Sequence, residues 1–248
     1  MRLEGKTAVI TGAGSGLGAG IARRFAAEGA RVVIADLVPD AASAIAREIG
    51  PGASALALDV ADAASVAGLF AEATRRLGAL DILVNNAGVG HVPEPLDALA
   101  PEAFERLVAV NVRGLYLTSR AFVPAMKARR RGVILNIAST GAVSPRAGLT
   151  WYNATKGFVV TATRSMAVEL APFGIRVNAL NPVASETPLL RTFMGADTPE
   201  VRARFLATIP LGRFATPEDI GHAATYLCSD EAGLVTGVAL EVDGGRCI

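Results

Sequence analysis

A tyrosine and a lysine stand four residues apart, at Tyr152 and Lys156, in a segment with a helical pattern. Residues at i and i+4 of a helix share one face, so the phenol and the ammonium are expected to lie one turn apart. A free tyrosine has a pKa of about 10, too high for a good base at neutral pH. A neighbouring ammonium favours the phenolate and should lower that pKa. The pair therefore predicts a general acid/base, with Tyr152 transferring the proton.

Lysine is rare in this chain, which makes Lys156 more informative. It occurs only at positions 6, 127 and 156, although lysine and arginine together number 24. A compact ammonium kept where arginine is otherwise used indicates a task that needs lysine. The alternative, an ordinary surface pair of Tyr152 and Lys156, is the weaker interpretation.

A glycine-rich turn near the N-terminus indicates phosphate binding. Residues 11–18 read Thr-Gly-Ala-Gly-Ser-Gly-Leu-Gly, between a short apolar run and a helical pattern. Glycines let backbone N–H groups approach a pyrophosphate, and a helix N-terminus favours negative charge. Asp36 ends the next strand, where an acid accepts hydrogen bonds from a ribose. The turn alone would be simple turn chemistry and Asp36 alone a cap, but together they predict a dinucleotide site.

Composition argues against nucleic-acid and membrane partners. Of 248 residues, 51% are hydrophobic and 19% charged, and the formal net charge is +1. Such a chain can bury a sizeable core but has no electrostatic footprint for nucleic acid or an anionic membrane. No apolar stretch approaches the roughly 18 residues that span a bilayer. The basic run at residues 127–131 is expected to end a helix, where cations complement the macrodipole.

Cysteine usage and the first residues bear on the compartment. Cys228 and Cys247 form neither a disulfide framework nor a metal-binding pattern, so we expect free thiols in a reducing environment and no metal. The first residues lack the apolar segment of a secretory signal. A cytoplasmic, soluble protein is the expectation.

Short β-branched runs alternate with alanine-rich helical stretches. Strands are predicted at residues 7–11, 31–36, 53–58, 81–85, 132–138, 175–180 and 238–242. Helices are predicted at residues 17–28, 40–49, 63–77, 101–127, 151–172 and 217–229. Near-continuous apolar strands are typical of buried parallel sheets, and the alternation implies crossover helices on both faces. The predicted fold class is α/β, a doubly wound Rossmann-like domain with a central parallel sheet of about seven strands.

One segment interrupts this alternation. From about residue 183 to 213 the chain carries several prolines and one short helical piece near residues 200–207. A long irregular insertion in a compact domain is often a substrate loop or lid. Because no linker, repeat or low-complexity segment is present, residues 1–248 are expected to form a single dinucleotide-binding and catalytic domain.

The glycine turn has the spacing T-G-x-x-x-G-x-G, which resembles that of the short-chain dehydrogenase/reductase family. The likeness continues in order with Asn-Asn-Ala-Gly at residues 85–88, Asn111, Ser139, Tyr-Asn-Ala-Thr-Lys at 152–156, Pro182 with Thr187, and Val-Asp-Gly-Gly at 242–245. Tyr152 lies thirteen residues beyond Ser139, as the family requires. Ordered motifs along nearly the whole chain make the resemblance highly specific.

The resemblance implies four catalytic residues. Tyr152 would transfer the proton, and Lys156 would also bind the nicotinamide ribose. Ser139 would hydrogen-bond the substrate oxygen and stabilise its charge. Asn111 would hold a water that relays protons from Lys156. A strand-end serine and a buried, satisfied asparagine are the alternatives for the last two residues.

The resemblance also implies a nicotinamide dinucleotide, with adenine against Asp59 and Val60 and the carboxamide near the backbone of Ser185. The expected binding residues are Gly12, Ser15, Gly16, Leu17, Gly18, Asp36, Leu37, Asp59, Val60, Asn86, Ala87, Gly88, Tyr152, Lys156, Pro182, Ser185 and Thr187. NAD is expected over NADP because Asp36 would repel a 2′-phosphate, and neither Ser15 nor Leu37 supplies a cation.

The substrate pocket has the least sequence pattern. It is expected to involve Gly141, Val143, Arg146, Val183, Trp151 and the stretch 185–194. Arg146 would suit an anionic substrate, although an exposed arginine is the alternative. The family usually has glycine at position 183, and a backbone contact survives its loss if the local φ is negative. Valine there should narrow the pocket.

These observations predict reversible hydride transfer between NAD(H) and a secondary alcohol or ketone. A 3-oxoacyl-[acyl-carrier-protein]-type reductase using NADP(H) is the alternative, and a catalytically silent nucleotide-binding protein is a remote one. His91 and His222 are expected to be loop or surface residues, since Tyr152 supplies the acid/base. The resemblance, with apolar-rich helices at residues 101–127 and 151–172 and an apolar last strand, predicts a homotetramer.

Overall fold

Short apolar runs form the strands of a parallel sheet. The computed structural model describes residues 1–248. The strands are β1 (Thr7–Thr11), β2 (Arg31–Asp36), β3 (Ala53–Ala57), β4 (Ile82–Asn85), β5 (Gly132–Ile137), β6 (Ile175–Pro182) and β7 (Ala239–Val242). They pair in the order β3-β2-β1-β4-β5-β6-β7, and every pair is parallel. The predicted α/β fold with a seven-stranded parallel sheet is confirmed.

Helices connect the strands and cover both faces of the sheet. They are α1 (Gly16–Ala27), α2 (Pro39–Ile49), α3 (Ala63–Leu77), α4 (Pro101–Leu107), α5 (Gly114–Arg129), α6 (Thr150–Leu170), α7 (Pro188–Met194), α8 (Pro199–Leu206) and α9 (Pro217–Cys228). None of these helices is both long enough and apolar enough to cross a membrane.

Alternate strand residues pack against different helical layers. Ile10 of β1 shares a core with Phe25 of α1 and Ile220 of α9. Val9, its neighbour in the chain, belongs to the core on the other face, with Phe122 of α5. Because successive strand residues point to opposite faces, β1 must be apolar throughout, and all five of its residues are buried.

The strand order reverses beside β1, whose Ile10 pairs with Val84 of β4. Connections leave the two strands on opposite faces, so a crevice opens above their carboxyl ends. The glycine turn follows β1 and Asn86 follows β4. The topology thus brings two separate sequence motifs to one edge of the sheet.

Two helical segments differ from the prediction. The stretch at residues 101–127, predicted as one helix, consists of α4, a π-helical turn at Val108–Arg113, and α5. The segment at residues 183–213, predicted as irregular apart from one helical piece, contains α7 as well as α8. Pro188 argues against a helix when only the sequence is considered. It stands in the first turn of α7, where a missing N–H costs nothing.

Candidate active site

A cavity of about 570 Å³ opens at the carboxyl ends of the central strands, a volume typical of ligand sites. Most residues expected from the sequence line it: Gly12, Ser15, Gly16, Leu17, Asp36, Leu37, Asp59, Val60, Asn86, Ala87, Gly88, Ser139, Gly141, Arg146, Tyr152, Lys156, Pro182, Val183, Ser185 and Thr187. Gly18, Asn111 and Val143 are not part of its wall.

The glycine turn after β1 is packed too closely for side chains. Gly12 has a φ of +63°, and a Cβ there would lie 2.8 Å from Ala87 Cα. Gly18 lies beneath the turn, where a Cβ would collide with Gly12 O and the Asn86 amide. Gly18 therefore packs against the turn and does not line the cavity, and its expected contact with the cofactor stays a prediction.

Hydrogen bonds join the end of β4 to this turn. Asn86 Nδ2 donates to Thr11 O and to Gly12 O, each at 2.9 Å. The Thr11 hydroxyl accepts from Asn86 N at 3.1 Å and from Ala87 N at 3.0 Å. The motif at residues 85–88 thus holds the turn in shape as well as lining the cavity.

The first turn of α1 presents free backbone donors. Ser15 occupies the N-cap, but its side chain forms no capping hydrogen bond, and the first turn contains no acidic residue. Ser15, Gly16 and Leu17 all line the cavity. Because free N–H groups at a helix N-terminus attract anions, this end of α1 fits the pyrophosphate of a dinucleotide.

The carboxylate of Asp36 lies beside the glycine turn. Oδ2 accepts from Gly14 N at 2.8 Å, and Oδ1 accepts from Val38 N at 3.0 Å. A Cβ at Gly14 would lie 2.9 Å from Oδ2, so this approach requires glycine. Arg31, at the other end of β2, is engaged elsewhere and donates to Leu77 O at 2.7 Å. Asp36 therefore lines the cavity without an ion-pair partner.

The residues after β3 form an apolar surface with one exposed acid. Leu58 and Val60 are buried, whereas Asp59 is exposed and accepts from Ala61 N at 2.8 Å. All three residues from 58 to 60 line the cavity. The two apolar side chains suit an adenine ring, and the exposed carboxylate lies between them in the chain.

Tyr152 and Lys156 lie near the start of α6, and only 6% and 5% of their surfaces are exposed. Lys156 Nζ lies 5.9 Å from the centre of the Tyr152 ring and donates to Ile137 O at 2.9 Å. The other two lysines each form an ion pair with a carboxylate, and Lys156 does not. Its charge is therefore left for the cavity.

The pKa of Tyr152 moves opposite to the sequence-based expectation. Burial raises the pKa of Tyr152 to about 12, and the neighbouring Ser139 hydroxyl offsets only part of this. Burial also lowers the pKa of Lys156 to about 8. An ammonium does favour the phenolate, but desolvation disfavours the charged form of both groups and dominates here. Tyr152 is therefore a neutral phenol at pH 7 unless another positive charge binds beside it.

Ser139 follows β5 and begins a short 3₁₀ turn at Thr140–Ala142. Its hydroxyl oxygen accepts from Gly141 N at 3.0 Å. Because the oxygen acts as the acceptor in that bond, the hydroxyl hydrogen is available to the neighbouring Tyr152 oxygen or to a substrate oxygen. Ser139 and Tyr152 thus bring two O–H donors into one cavity.

Asn111 lies in the π-helical turn, is 3% exposed, and stands outside the main cavity. Its Nδ2 donates to Val89 O at 2.9 Å and Thr155 Oγ1 at 3.0 Å, and its Oδ1 accepts from Val89 N at 2.9 Å. Both side-chain N–H groups are used, so they are not free to hold the expected water. A second cavity of about 10 Å³, close to the volume of one water, is lined by both Asn111 and Lys156.

The loop after β6 forms the opposite wall. Val183 is buried, and its φ is negative, because Arg130 is the one non-glycine residue with a positive φ. The backbone therefore suits valine, and the side chain takes up space in the cavity. Thr187 reaches over the glycine turn, where a Cβ at Gly16 would lie 3.3 Å from it.

The substrate end differs in part from the expectation. Gly141 and Arg146 line the cavity, but Val143 turns outward and is 50% exposed. Trp151 also lies outside the wall, since its Nε1 donates to Leu96 O at 2.9 Å. Both side chains belong to the outer surface of the loop and helix, which the sequence pattern does not reveal.

Several lining residues were not predicted individually. Phe193 of α7 lies within the predicted stretch, and its ring is 4.8 Å from that of Tyr152. Leu149, Asn153 and Phe205 also line the cavity. Only Asn153 has a sequence signal, because it follows the tyrosine of the Y-x-x-x-K motif directly.

The histidines and cysteines lie outside the cavity wall. His91 is a buried loop residue whose Nδ1 is 2.9 Å from Val92 O. His222 lies on α9, 3.7 Å from a glutamate. Cys228 is buried, and both cysteines are unpaired. Tyr152 is thus the acid/base candidate of the cavity.

The parallel sheet, the glycine turn and the buried Tyr152 cluster define an oxidoreductase built on a dinucleotide-binding fold. A family model described as enoyl-(acyl carrier protein) reductase, a branch of the short-chain dehydrogenases/reductases, matches residues 12–246. The chain belongs to the short-chain dehydrogenase/reductase family, and it is an enzyme that acts on alcohol or carbonyl groups.

Individual relatives match along the full chain. The chain is 42% identical to a 4-formylbenzenesulfonate dehydrogenase of Comamonas testosteroni, covering 100% of both chains. It is 40% identical to 2-(S)-hydroxypropyl-CoM dehydrogenase 3 of Xanthobacter autotrophicus, covering 98% of this chain and 97% of the relative. The chain is 52% identical in sequence to 3-ketoacyl-(acyl-carrier-protein) reductase from Brucella melitensis, whose crystal structure is complexed with NADH. The two structures superpose with a TM-score of 0.95 over 99% of this chain and 100% of that one.

Proposed function

We propose that this enzyme transfers a hydride reversibly between NAD(H) and a secondary alcohol or ketone, with Tyr152 as general acid/base. The observation that carries this proposal is the cluster of buried Tyr152 and Lys156 with half-buried Ser139, in the cavity that also includes the glycine turn. A relative named for a 2-(S)-hydroxypropyl group supports secondary-alcohol chemistry. A silent nucleotide-binding protein would have no need of the tyrosine–lysine pair.

Bound NAD(H) would supply or accept the hydride. In reduction, the Tyr152 phenol donates its proton to the former carbonyl oxygen as the alcohol forms. The free hydrogen of Ser139 bonds the same oxygen and stabilises its developing charge. In oxidation, the Tyr152 phenolate accepts the proton of the alcohol, and the ammonium of Lys156 stabilises that phenolate.

The donor set of this chain fits NAD. The free N–H groups of α1 would hold the pyrophosphate, Asp36 the adenosine ribose, and Lys156 the other ribose. NAD is preferred over NADP in this proposal because no cation neutralises Asp36. The NADH-bound relative of known structure supports the same preference.

Asn111 acts here as a positioning residue. It bridges the backbone at Val89 to Thr155, the residue before Lys156. The small cavity beside it has room for one water in reach of Lys156. Such a water would pass protons between Lys156 and its surroundings without using the Asn111 amide.

Reduction of a 3-oxoacyl thioester is the second candidate. The name of the 52% identical structural relative favours it. Reduction of acetoacetyl-CoA with NADPH tests it directly. An enzyme specific for ketones that carry no thioester should reduce acetoacetyl-CoA poorly with either cofactor. The unpaired Asp36 favours the first candidate, because its carboxylate would repel the 2′-phosphate of NADPH.

The proposed enzyme is a single-domain protein with a substrate lid. Residues 1–248 act as one domain, and the segment at residues 183–213, with α7 and α8, forms the substrate lid. The enzyme works as a homotetramer in the cytoplasm, where its two unpaired cysteines stay reduced. A screen of secondary alcohols with NAD⁺ and of ketones with NADH, followed at 340 nm, tests the activity. A complete lack of turnover across both panels would overturn it.

A further inference from the structure

Two arginines without acid partners lie beside the substrate end of the cavity. Arg146 lines the cavity. Arg246, near the C-terminus, donates to Ser144 Oγ at 2.7 Å and to Ser144 O at 3.4 Å, and Ser144 also lines the cavity. No carboxylate oxygen lies within 4.0 Å of either guanidinium.

Arg146 is held in place without being neutralised. Its guanidinium carbon lies 4.3 Å from the centre of the Phe205 ring, and its Nη2 donates to Thr208 Oγ1 at 2.9 Å. Burial lowers the pKa of Arg146, and the positive charge of Arg246 lowers it further. Arg246 bonds Ser144, two residues before Arg146 in the chain, so an anion beside Arg146 would enter a region of positive charge that no carboxylate neutralises.

Three other partly buried arginines, Arg24, Arg176 and Arg202, have carboxylate or carbonyl partners within the chain. Arg202 pairs with two carboxylates, Arg24 pairs with Glu28, and Arg176 donates to three backbone carbonyls. Nε of Arg246 is buried and has no hydrogen-bond partner, and the same is true of Nε of Arg24, but Arg24 pairs with Glu28 and Arg246 pairs with no carboxylate. Arg246 lies outside the cavity wall and is joined to it through Ser144, so Arg146 is the guanidinium that a ligand in the cavity would contact and Arg246 adds positive charge behind it.

A hydrogen bond joins the backbone of Arg146 to the residue that follows Tyr152. Asn153, next to Tyr152, donates through Nδ2 to Arg146 O at 3.0 Å. Both sites have an apolar neighbour in the cavity wall, since the Phe193 ring lies 4.8 Å from the Tyr152 ring and the Phe205 ring lies 4.3 Å from the Arg146 guanidinium. A substrate that reaches both sites would have an apolar body, a reacting carbon at one end and a charge at the other.

We propose that Arg146, reinforced by Arg246, binds an anionic oxygen group of the substrate, a carboxylate or a sulfonate, at the end remote from the reacting carbon. This site rests on the proposed function, because the reacting carbon is placed by Tyr152. It narrows the substrate class to hydroxy or oxo compounds with an apolar body and a terminal anion.

Calorimetric titration of the enzyme–NAD⁺ complex tests the site without turnover. Benzenesulfonate and benzoate are the anionic probes, and benzenesulfonamide is the neutral one. At least one anion should bind roughly tenfold more tightly than benzenesulfonamide. Arg146→Met should lower the affinity for that anion about ten- to a hundredfold. Arg246→Met should weaken it severalfold, and Arg47→Met, which removes an exposed charge from α2, should leave binding unchanged.

Equal affinity of the wild type for the anions and the amide, or unchanged anion binding in Arg146→Met, would overturn the proposal. Arg146→Gln, which keeps a donor for Thr208, serves if the methionine variant does not fold. Turnover separates this proposal from the proposed function. Wild type should reduce 4-acetylbenzoate with NADH at least tenfold more efficiently than its methyl ester, and Arg146→Met should abolish the difference. Failure of the whole ketone panel would refute the redox proposal, and the titration would still decide the anion site.

Discussion

The ammonium of Lys156 donates to the backbone carbonyl of Ile137 at 2.9 Å, two residues before Ser139. This bond joins the end of β5, which Ser139 follows, to α6, which carries Tyr152, and so fixes the two hydroxyl groups relative to each other. It also accounts for the position of Lys156 Nζ, 5.9 Å from the centre of the Tyr152 ring. At that distance in a buried site, the ammonium acts as a neighbouring charge, and desolvation keeps the phenol neutral until the cofactor adds charge.

Tyr152→Phe should reduce kcat by several orders of magnitude while NADH still binds. The change removes the transferable proton and preserves the ring that packs 4.8 Å from Phe193. Steady-state kinetics and NADH fluorescence titration measure the two effects. Leu189→Ala, in the same wall, is the matched control and should change KM more than kcat. More than a tenth of wild-type turnover in Tyr152→Phe would assign proton transfer to another group.

The pH dependence of the two directions should differ. Since burial raises the pKa of Tyr152, the phenolate needed for oxidation is scarce at pH 7 and becomes more populated as pH rises. The rate of alcohol oxidation should increase by up to about tenfold per pH unit between pH 7 and the pKa that Tyr152 has in the enzyme–NAD⁺ complex. Ketone reduction uses the neutral phenol and should stay flat between pH 6 and 8. Initial rates in both directions decide this, and a flat oxidation profile would contradict it.

Lys156→Met should make the protein relatively more stable at pH 7 than at pH 10. Burial lowers the pKa of Lys156 from 10.5 to about 8, so folding disfavours its charged form. Below pH 8 this lowers the wild type's free energy of unfolding by about 3 kcal/mol. The loss becomes smaller between pH 8 and 10.5 and is absent above pH 10.5. Losing the bond to Ile137 O costs the variant at every pH. The difference in Tm, variant minus wild type, should fall by several degrees from pH 7 to pH 10, as measured by differential scanning calorimetry.

The strands were predictable because their physics is local. Continuous apolar runs such as β1 mark burial on both faces, and six strands were placed to within one residue at each end. The π-helical turn at Val108–Arg113 was not predictable, because the same residues fit an α-helical pattern and only tertiary contacts of Asn111 distinguish the two. Helix α7 was missed since a proline carries opposite meanings inside a helix and in its first turn.

The catalytic set was predictable and the substrate wall was not. Tyr152, Lys156 and Ser139 follow a fixed spacing, so their convergence could be expected. Phe205 and Val143 depend on how a loop and a short helix turn, which no spacing encodes. The raised pKa of Tyr152 likewise depends on burial, and burial becomes known only when the fold does.

The enzyme should be a homotetramer. Tyr116 on α5 and Phe158 and Val168 on α6 are 55%, 41% and 79% exposed, so both helices present apolar side chains outward. Isologous packing of these helices would bury them. Val168→Glu should lower the mass measured by light scattering at micromolar concentration, and Leu96→Glu, an exposed loop substitution, should not. A monomeric wild type would refute this prediction.

The wild type should prefer NAD to NADP by about a hundredfold or more in kcat/KM. Asp36 Oδ2 is held by Gly14 N at 2.8 Å, which fixes the carboxylate beside the glycine turn. A 2′-phosphate about 5 Å away would be repelled by roughly 3 kcal/mol per unit charge, before screening. Each 1.4 kcal/mol that survives screening is tenfold in kcat/KM. Asp36→Asn removes the charge and keeps an oxygen for Gly14, so NADP should improve at least about tenfold while NAD declines modestly. Adding Leu37→Arg should improve NADP further, because it supplies the absent cation. Initial rates with both cofactors decide the matter, and equal or better use of NADP by the wild type would place the acyl-thioester reductase first.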